Sequence, residues 1–112
     1  MATAVAKILS EIREVGGLQG KDIANILDAS PATVSRWFSD QASPSIHTQT
    51  IIADLRYVVD RLADFYAPDE IRLWLFAKHP LLNRERPIDL IHAGQVEQVL
   101  AIIERLDAGA YL

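Results

Sequence analysis

The chain has 112 residues, half of them hydrophobic, with no cysteine and a formal net charge of -4. This length predicts one domain, or two small domains that share a core, and the hydrophobic content is ample for that core. The absence of cysteine excludes disulfides, thiolate metal sites and a cysteine nucleophile. Because phosphate neutralisation drives nonspecific binding to nucleic acid, the negative balance indicates that any contact with DNA is local.

The amino-terminal stretch "MATAVAKILSEIREV" has charges spaced along one helix face. It lacks the uninterrupted apolar block of a secretory signal, and no apolar run approaches the ~20 residues that cross a membrane. We therefore expect a cytoplasmic protein with no membrane partner.

Helical spacing predicts three helices in the first forty residues. The first ends at the pair Gly16-Gly17 and is defined by Val5, Ile8, Leu9, Ile12 and Val15. The second is short and carries Ile23, Ala24, Ile26 and Leu27. The third begins at Ser30-Pro31, since a serine oxygen accepts orphan amides and proline lacks the amide that would be wasted there. It is expected to turn Val34, Trp37 and Phe38 inward.

A long fourth helix is predicted from about Thr48 to Phe65, before Pro68. Its apolar residues form two rows, Ile52-Val59-Tyr66 and Ile51-Leu55-Val58-Leu62-Phe65. The two rows together are wider than one core-facing stripe needs, so we expect a homodimer within any larger assembly.

Three further helices follow. Pro68, with Asp69 and Glu70 in the first turn, starts a fifth helix that holds Ile71, Leu73, Trp74, Leu75 and Phe76. The stretch "HPLLNRERPIDLIHAG" predicts a loop, a short helix from Pro87 to about Ala93 and a break at Gly94. The last helix is expected over about Gln95 to Asp107, with one face formed by Val96, Val99, Leu100, Ile103 and Leu106. No stretch alternates as a strand does, so the predicted class is all-α.

The segment "LQGKDIANILDASPATVSRWFSD", Leu18 to Asp40, joins two short helices by a tight turn. Small Ala24 at the helix crossing and apolar Val34 inside the second helix are typical of a helix-turn-helix. The segment resembles the Xre/Cro-type helix-turn-helix over its whole length. The resemblance places the start of the second helix, including Pro31, in the major groove and implies the DNA-binding residues Lys21, Ser30, Ala32, Thr33, Ser35 and Arg36. Of these, Arg36 suits bidentate readout of guanine.

Two departures from that motif leave an alternative open. Asp28 stands where a turn glycine is usual, although aspartate tolerates the left-handed conformation. The predicted recognition surface also has a single positive charge, with small side chains elsewhere. The alternative is a helix-turn-helix kept only as a scaffold for the second half of the chain.

The second half carries a further set of motifs: Trp74, Pro80, "RPIDLI" from Arg86 to Ile91, Gly94, the last helix and "AGAYL". Together they resemble the toxin-binding domain of the Xre/MbcA/ParS family of type II antitoxins. This resemblance implies a helix-turn-helix domain over residues 1–66 and a small helical toxin-binding domain over 67–112. It also implies a partner encoded in the same operon, a RES-domain toxin that degrades NAD+, whose active site the C-terminal segment blocks. Repression of that operon through binding to operator DNA is implied as well.

The resemblance and the physics of the tail give the candidate toxin-binding residues, which are Trp74, Arg84, Arg86, Asp89, Gly94, Asp107, Gly109, Ala110, Tyr111 and Leu112. In "DAGAYL" the last helix supplies a rigid base, Gly109 a flexible lead, and Tyr111 with Leu112 two desolvating anchors. The alternative is that Tyr111 and Leu112 fold back onto the protein's own core or fray. Arg84 and Arg86, with Glu85, would steer the partner electrostatically or simply be solvated.

Catalysis by this chain is not expected. His47, His79 and His92 lack metal-ligand spacing, there is no Gly-rich phosphate loop, and the carboxylates are scattered over helix faces. We therefore predict no catalytic residue, no metal and no cofactor. The remaining functions are an antitoxin that also binds DNA, an antitoxin that only inhibits, and a stand-alone Xre-type transcriptional regulator.

Overall fold

The computed structural model describes residues 4–109, and within that range it contains helices and no strand. The seven α-helices are α1 (Ala4–Gly16), α2 (Gly20–Leu27), α3 (Pro31–Phe38), α4 (Ile46–Leu62), α5 (Pro68–Phe76), α6 (Pro87–His92) and α7 (Val96–Asp107). A single 3-10 turn, Pro80–Leu82, precedes α6. The all-α prediction is confirmed.

Local capping explains where two of the helices begin. The Ser30 hydroxyl accepts a hydrogen bond from the Thr33 amide at 3.1 Å, with Pro31 in the first turn, as the sequence predicted. Ser45 caps α4 in the same way, accepting from the Thr48 amide at 3.2 Å. Because of this second cap, α4 begins at Ile46, earlier than predicted.

The predicted end of α4 at Phe65 was too late. The helix ends at Leu62, and the Phe65 amide donates to the Leu62 carbonyl at 2.9 Å in a tighter, three-residue turn. Such turns satisfy the last carbonyls of a helix without extending it.

Helix α4 runs through the middle of the fold and packs against α1, α2, α6 and α7. One continuous buried cluster draws on both halves of the chain, with Leu9, Ile23 and Leu55 from the first half and Ile71, Ile91 and Ile103 from the second. The described parts of the segments 1–66 and 67–112 therefore share one core.

The homodimer was predicted because the two apolar rows of α4 looked wider than the core of one chain could cover. That premise is wrong. Ile51, Ile52, Leu55, Val58, Val59 and Leu62 are all buried within the chain. Helix α4 is central, so the rows face different neighbours of the same molecule and need no second copy to cover them. Of the row members, Phe65 lies past the helix end and is 38% exposed. The homodimer itself stays a prediction.

The structure shows the orientation of two apolar residues in the later helices for which the sequence analysis predicted no side. Leu73 in α5 points outward and is 64% exposed, whereas Ile102 in α7, absent from the predicted face, is buried. The stretch predicted as loop before α6 is also ordered locally, since the His79 amide donates to the Glu85 carbonyl at 3.1 Å across the 3-10 turn.

No helix in residues 4–109 combines the length and the apolar character that spanning a membrane requires.

Candidate protein and DNA interfaces

Helices α2 and α3 form the segment predicted to be a helix-turn-helix. Three residues, Asp28 to Ser30, join them, and Ala24 and Val34 are buried where the two helices pack. Asp28 takes the left-handed conformation at φ 53° and ψ 47°, and the Ala29 amide donates to the Ala24 carbonyl at 2.9 Å. Aspartate thus ends α2 in the conformation for which glycine is usual. That this pair of helices binds DNA stays a prediction.

The predicted DNA-binding residues divide into two groups. Ser30 and Thr33 are engaged in capping, because the Ser30 hydroxyl donates to Thr33 Oγ1 at 2.9 Å and Arg36 Nη2 donates to the same oxygen at 3.3 Å. The other candidates, Lys21, Ala32, Ser35 and Arg36, are exposed. Ser30 is exposed as well, so five of the six predicted DNA-binding side chains lie on the surface.

A shallow depression of about 260 Å³ lies beside this surface, between the starts of α2 and α3. Its lining includes Lys21 and Ser35, together with Arg13 of α1, whose guanidinium lies 4.7 Å from the centre of the Phe38 ring. Stacking of this kind holds an arginine in place while leaving its charge available. The sequence analysis did not include Arg13 because this residue lies in α1, outside the helix-turn-helix segment. The only signal in the sequence is the helical spacing of α1, which places Arg13 off its apolar face.

An ion pair between a buried carboxylate and a half-exposed arginine attaches α2 to α5. Asp22 is 3% exposed, and its two carboxylate oxygens each accept a hydrogen bond at 3.0 Å from Arg72, from Nε and from Nη2. The Gln19 amide donates to the same carboxylate at 2.9 Å. The hydrogen bonds from Arg72, more than the charge of nearby cations, hold the pKa of Asp22 below its ordinary value despite burial. We call this pair the Asp22–Arg72 clamp.

The turn between α1 and α2 is fixed against the same helix. Gly17 has φ +63°, and a Cβ at that position would lie 2.6 Å from the Pro68 carbonyl oxygen at the start of α5. Only glycine fits both the left-handed conformation and the close approach. The first residues of α5 are thus held to the α1–α2 region at two points, Gly17 and Asp22.

Trp74, a predicted toxin-binding residue, is largely buried. It is 9% exposed and lies against His79, with 4.8 Å between ring centroids. Burial lowers the pKa of His79 by disfavouring its charged form. Trp74 therefore positions the segment that follows α5, and the large exposed apolar side chains nearest to it in sequence are Leu73 and Leu81, at 64% and 50%.

Arg86 and Asp89 lie together at the start of α6. Arg86 Nε donates to Asp89 Oδ2 at 2.9 Å and Nη2 donates to Oδ1 at 3.1 Å, which raises the pKa of Arg86. Both residues line a cleft of about 400 Å³ between α6 and the end of α2, which also includes Phe76, Asp28 and His92. Sequence reasoning missed the contribution of α2 to this cleft.

The other described residues among the toxin-binding candidates lie in the turns on either side of α6 and at the end of α7. Arg84 is exposed in a left-handed turn at φ 64°, and Gly94 is exposed between α6 and α7 at φ +77°. Asp107, the last residue of α7, pairs with Arg61 of α4 at 3.7 Å. Gly109 has φ +81° with open space around it, whereas Ala110, Tyr111 and Leu112 lie outside the described residues.

No family model matches the chain. The chain is, however, 32% identical over 108 residues to the mycobacterial cidal antitoxin MbcA of Mycobacterium tuberculosis and of Mycobacterium bovis, covering 96% of each sequence. The chain belongs to the MbcA family of antitoxins. A second relative, described as a probable mycobacterial cidal antitoxin of Mycobacterium tuberculosis, is 30% identical over 111 residues. Among solved structures, a chain of the Mycobacterium tuberculosis MbcT–MbcA toxin–antitoxin complex matches with a TM-score of 0.84 and 31% identity, over 98% of this chain and 99% of that one.

The part of the chain that the structure describes contains no group of three or more His, Asp or Glu side chains placed to hold a metal ion.

Proposed function

We propose that this chain is the antitoxin of a type II toxin–antitoxin system, and that it binds and inhibits a RES-domain toxin, an NAD+-degrading enzyme encoded in the same operon. The observation that carries the proposal is the likeness to a chain of the MbcT–MbcA complex over 98% of the protein at 31% identity. A match that extends through α5, α6 and α7 favours an antitoxin over a stand-alone regulator, for which α2 and α3 would suffice. We expect the pair to act in the cytoplasm.

We propose that inhibition uses the segment after α7 as a plug. Helix α7 is anchored in the core by Ile103 and attached to α4 through the Asp107–Arg61 pair. Gly109, in a left-handed conformation with nothing within 4 Å of its Cβ direction, gives the chain freedom to leave the helix. Six residues from Asp107 onward reach at most roughly 20 Å when extended, enough to enter a cleft from its rim.

The rest of the toxin interface is proposed to lie beside that helix. Leu73 and Leu81 supply exposed apolar area, and Arg84 with the Arg86–Asp89 pair supplies charge. An apolar centre with a charged rim is the composition of most protein interfaces. Trp74 acts in this proposal by holding the 3-10 turn in place from beneath.

The test is NAD+ consumption by the purified toxin, titrated with intact antitoxin and with a variant that lacks Gly109 to Leu112. Removing these residues is expected to abolish inhibition while leaving circular dichroism unchanged, because they follow the last helix. Tyr111→Ala is expected to weaken inhibition by about 1 to 3 kcal/mol, as loss of a buried aromatic anchor does. Equal inhibition by intact and truncated proteins would contradict the plug and leave the surface around Leu73 and Arg86 as the inhibitor.

A second function, binding to operator DNA, is favoured by the exposed surface of α3. Arg36 is exposed in α3, and Lys21 with the stacked Arg13 lies at the adjoining depression. We propose that Arg36 reads a base and that the other two contact phosphates. The chain would thereby repress its own operon.

Footprinting of the operator tests this second function, with protein alone and with the toxin complex. Arg36→Ala is expected to cost about 1 to 3 kcal/mol of specific affinity, and Arg13→Ala to weaken binding to all sequences alike. Arg105→Ala, an exposed arginine at the far end of α7, is the matched control and should change nothing. Absence of any footprint would leave α2 and α3 as a scaffold.

A further inference from the structure

The cleft between the end of α2 and α6 has a lining that favours a cation. Its volume of about 400 Å³ lies at the small end of ligand sites, which span roughly 300 to 1,000 Å³. The carboxylates of Asp28 and Asp89 and the side-chain amide of Asn25 belong to the lining. Apart from His92, two carboxylates and the guanidinium of Arg86 leave an excess of one negative charge, which one bound cation would neutralise. We call this space the α2–α6 cleft.

Asp28 is the acidic residue of the α2–α6 cleft that lacks a partner. No hydrogen bond or ion pair within residues 4–109 uses its carboxylate, whereas both oxygens of Asp89 already accept from Arg86. Asp28 follows the last residue of α2, so the negative end of that helix dipole lies beside it. A cation held at Asp28 would therefore be stabilised by the carboxylate and by the helix end together.

Phe76 adds an aromatic surface to the same cleft. Its ring already stacks with one guanidinium, because Cζ of Arg72 lies 5.2 Å from the ring centre. Arg72 is not part of the lining, so the part of the ring that faces the cleft is not the part that Arg72 covers. A planar guanidinium can stack on a ring while its N–H groups donate to carboxylates, which a compact ammonium group does less well. The acid and the ring together favour arginine over lysine.

We propose that the α2–α6 cleft accepts an arginine side chain of the toxin. This inference rests on the proposed function, because the wall formed by Arg86 and Asp89 is continuous with the surface proposed for the toxin. The excess negative charge and the aromatic ring select the chemistry of the occupant. The toxin-binding surface then includes Asn25 and Asp28 of the helix-turn-helix segment, and it is not confined to residues 67–112.

The first experiment uses the antitoxin alone and so does not depend on the toxin. N-acetyl-arginine amide is titrated into isotope-labelled protein, and the backbone amide shifts are followed by NMR. Saturable shifts are expected at Asn25, Asp28 and Asp89, with a dissociation constant on the order of 10 mM, because a single side chain makes few contacts. N-acetyl-lysine amide is expected to bind at least about threefold more weakly. Absence of saturable shifts at these amides, or equal binding of the lysine compound, would overturn the proposal.

The second experiment measures dissociation of the toxin complex by surface plasmon resonance. Asp28→Asn removes the charge but keeps a residue type that tolerates the left-handed conformation, so the turn should stay folded. Its complex is expected to dissociate at least about tenfold faster, as when one partner of a desolvated charge pair is removed. Glu14→Gln is the matched control, since it removes one charge from an exposed position on α1, a helix that packs against α3, α4 and α5. This variant should dissociate as the wild type does, and circular dichroism checks that both variants fold.

The outcomes separate the cleft from the proposed function. Unchanged dissociation of Asp28→Asn, or equal acceleration by Asp28→Asn and Glu14→Gln, would overturn the role of the cleft and leave the antitoxin function standing. Binding of the arginine compound without any effect of Asp28→Asn on the toxin complex would also overturn it, because the toxin would not be the occupant. Failure of the intact chain to bind the toxin would contradict the proposed function and this inference together.

Discussion

The turn between α1 and α2 and the turn between α6 and α7 contrast in how tightly the rest of the chain encloses them. At the α1–α2 turn, Gly17 lies against the Pro68 backbone and the neighbouring Asp22 is buried in a bidentate ion pair. At the α6–α7 turn, Gly94 has open space around it, and the Arg86–Asp89 pair nearby is exposed. Similar residue types thus serve different purposes: at the first turn they attach one half of the chain to the other, and at the second they lie on the surface, where a partner can contact them.

The largest effect is expected from Gly17→Ala. The new methyl group would meet the Pro68 carbonyl oxygen at 2.6 Å in a left-handed conformation, so about 3 kcal/mol or more of unfolding free energy should be lost. Gly94→Ala, at φ +77° with no atom within 4 Å, should lose only about 1 kcal/mol for its backbone conformation. Urea denaturation of both variants measures the difference. Equal losses would mean that the α1–α2 turn is no more enclosed than the other.

A second expected difference separates the two ion pairs. Asp22→Asn should cost about 2 kcal/mol, because a charge-assisted pair is lost and Arg72 is left without its partner. Asp89→Asn removes an exposed pair and should cost less than about 1 kcal/mol. Comparable losses in urea denaturation would show that the Asp22–Arg72 clamp contributes no more than a surface pair.

Acid should remove the advantage of the clamp. The pKa of Asp22 is lowered in the folded protein from 3.8, so the unfolded chain binds its proton at a higher pH than the folded chain does. The stabilisation is therefore complete above the unfolded-state pKa and is lost as the pH falls through the folded-state pKa. The stability difference between wild type and Asp22→Asn should be full at pH 7 and should shrink toward pH 3. A difference that stays constant over that range would contradict the assignment.

A substitution at an exposed residue of α5 tests whether the surface of the second half contributes to toxin binding. Leu73→Ser, at a 64% exposed position, should leave stability unchanged and weaken toxin binding by about 1 to 2 kcal/mol. Ile46→Ser is the matched control, an exposed apolar residue on α4 whose loss should not change toxin affinity. Titration calorimetry with the toxin gives both values, and unchanged binding by Leu73→Ser would exclude α5 from the interface.

The smallest effect concerns the start of α3. Ser30→Ala should lose about 1 kcal/mol, since the Thr33 amide loses its acceptor. Ser30→Asp retains an acceptor oxygen at the same position and should restore the stability. Thermal unfolding of the two variants distinguishes capping from a role of the hydroxyl in binding alone.

These contrasts also explain which features the sequence made predictable. The start of α3 could be predicted because Ser30 and Pro31 carry its signal locally. Ser45 carries a similar local signal for α4, but the loop composition around it obscured that signal. The Asp22–Arg72 clamp joins residues fifty positions apart, and no local pattern indicates such a pair.

Which side of a short helix faces the core was harder to predict. In α5 nearly every residue after Glu70 is apolar, so periodicity could not separate exposed Leu73 from buried Trp74. The cleft lined by Arg86 and Asp89 includes Asp28 of α2, and only the packing of the two halves brings them together. The family resemblance predicted the residues of that region but not their neighbours.

The continuous core has a consequence for how the protein melts. Because α4 contacts helices from both halves, neither half can lose its packing without exposing buried side chains of the other. We expect calorimetry to give one cooperative transition, with equal calorimetric and van't Hoff enthalpies. A substitution that destabilises α2 or α3 would then lower the melting temperature of the whole chain. The helices proposed to bind the toxin would unfold at that same lower temperature.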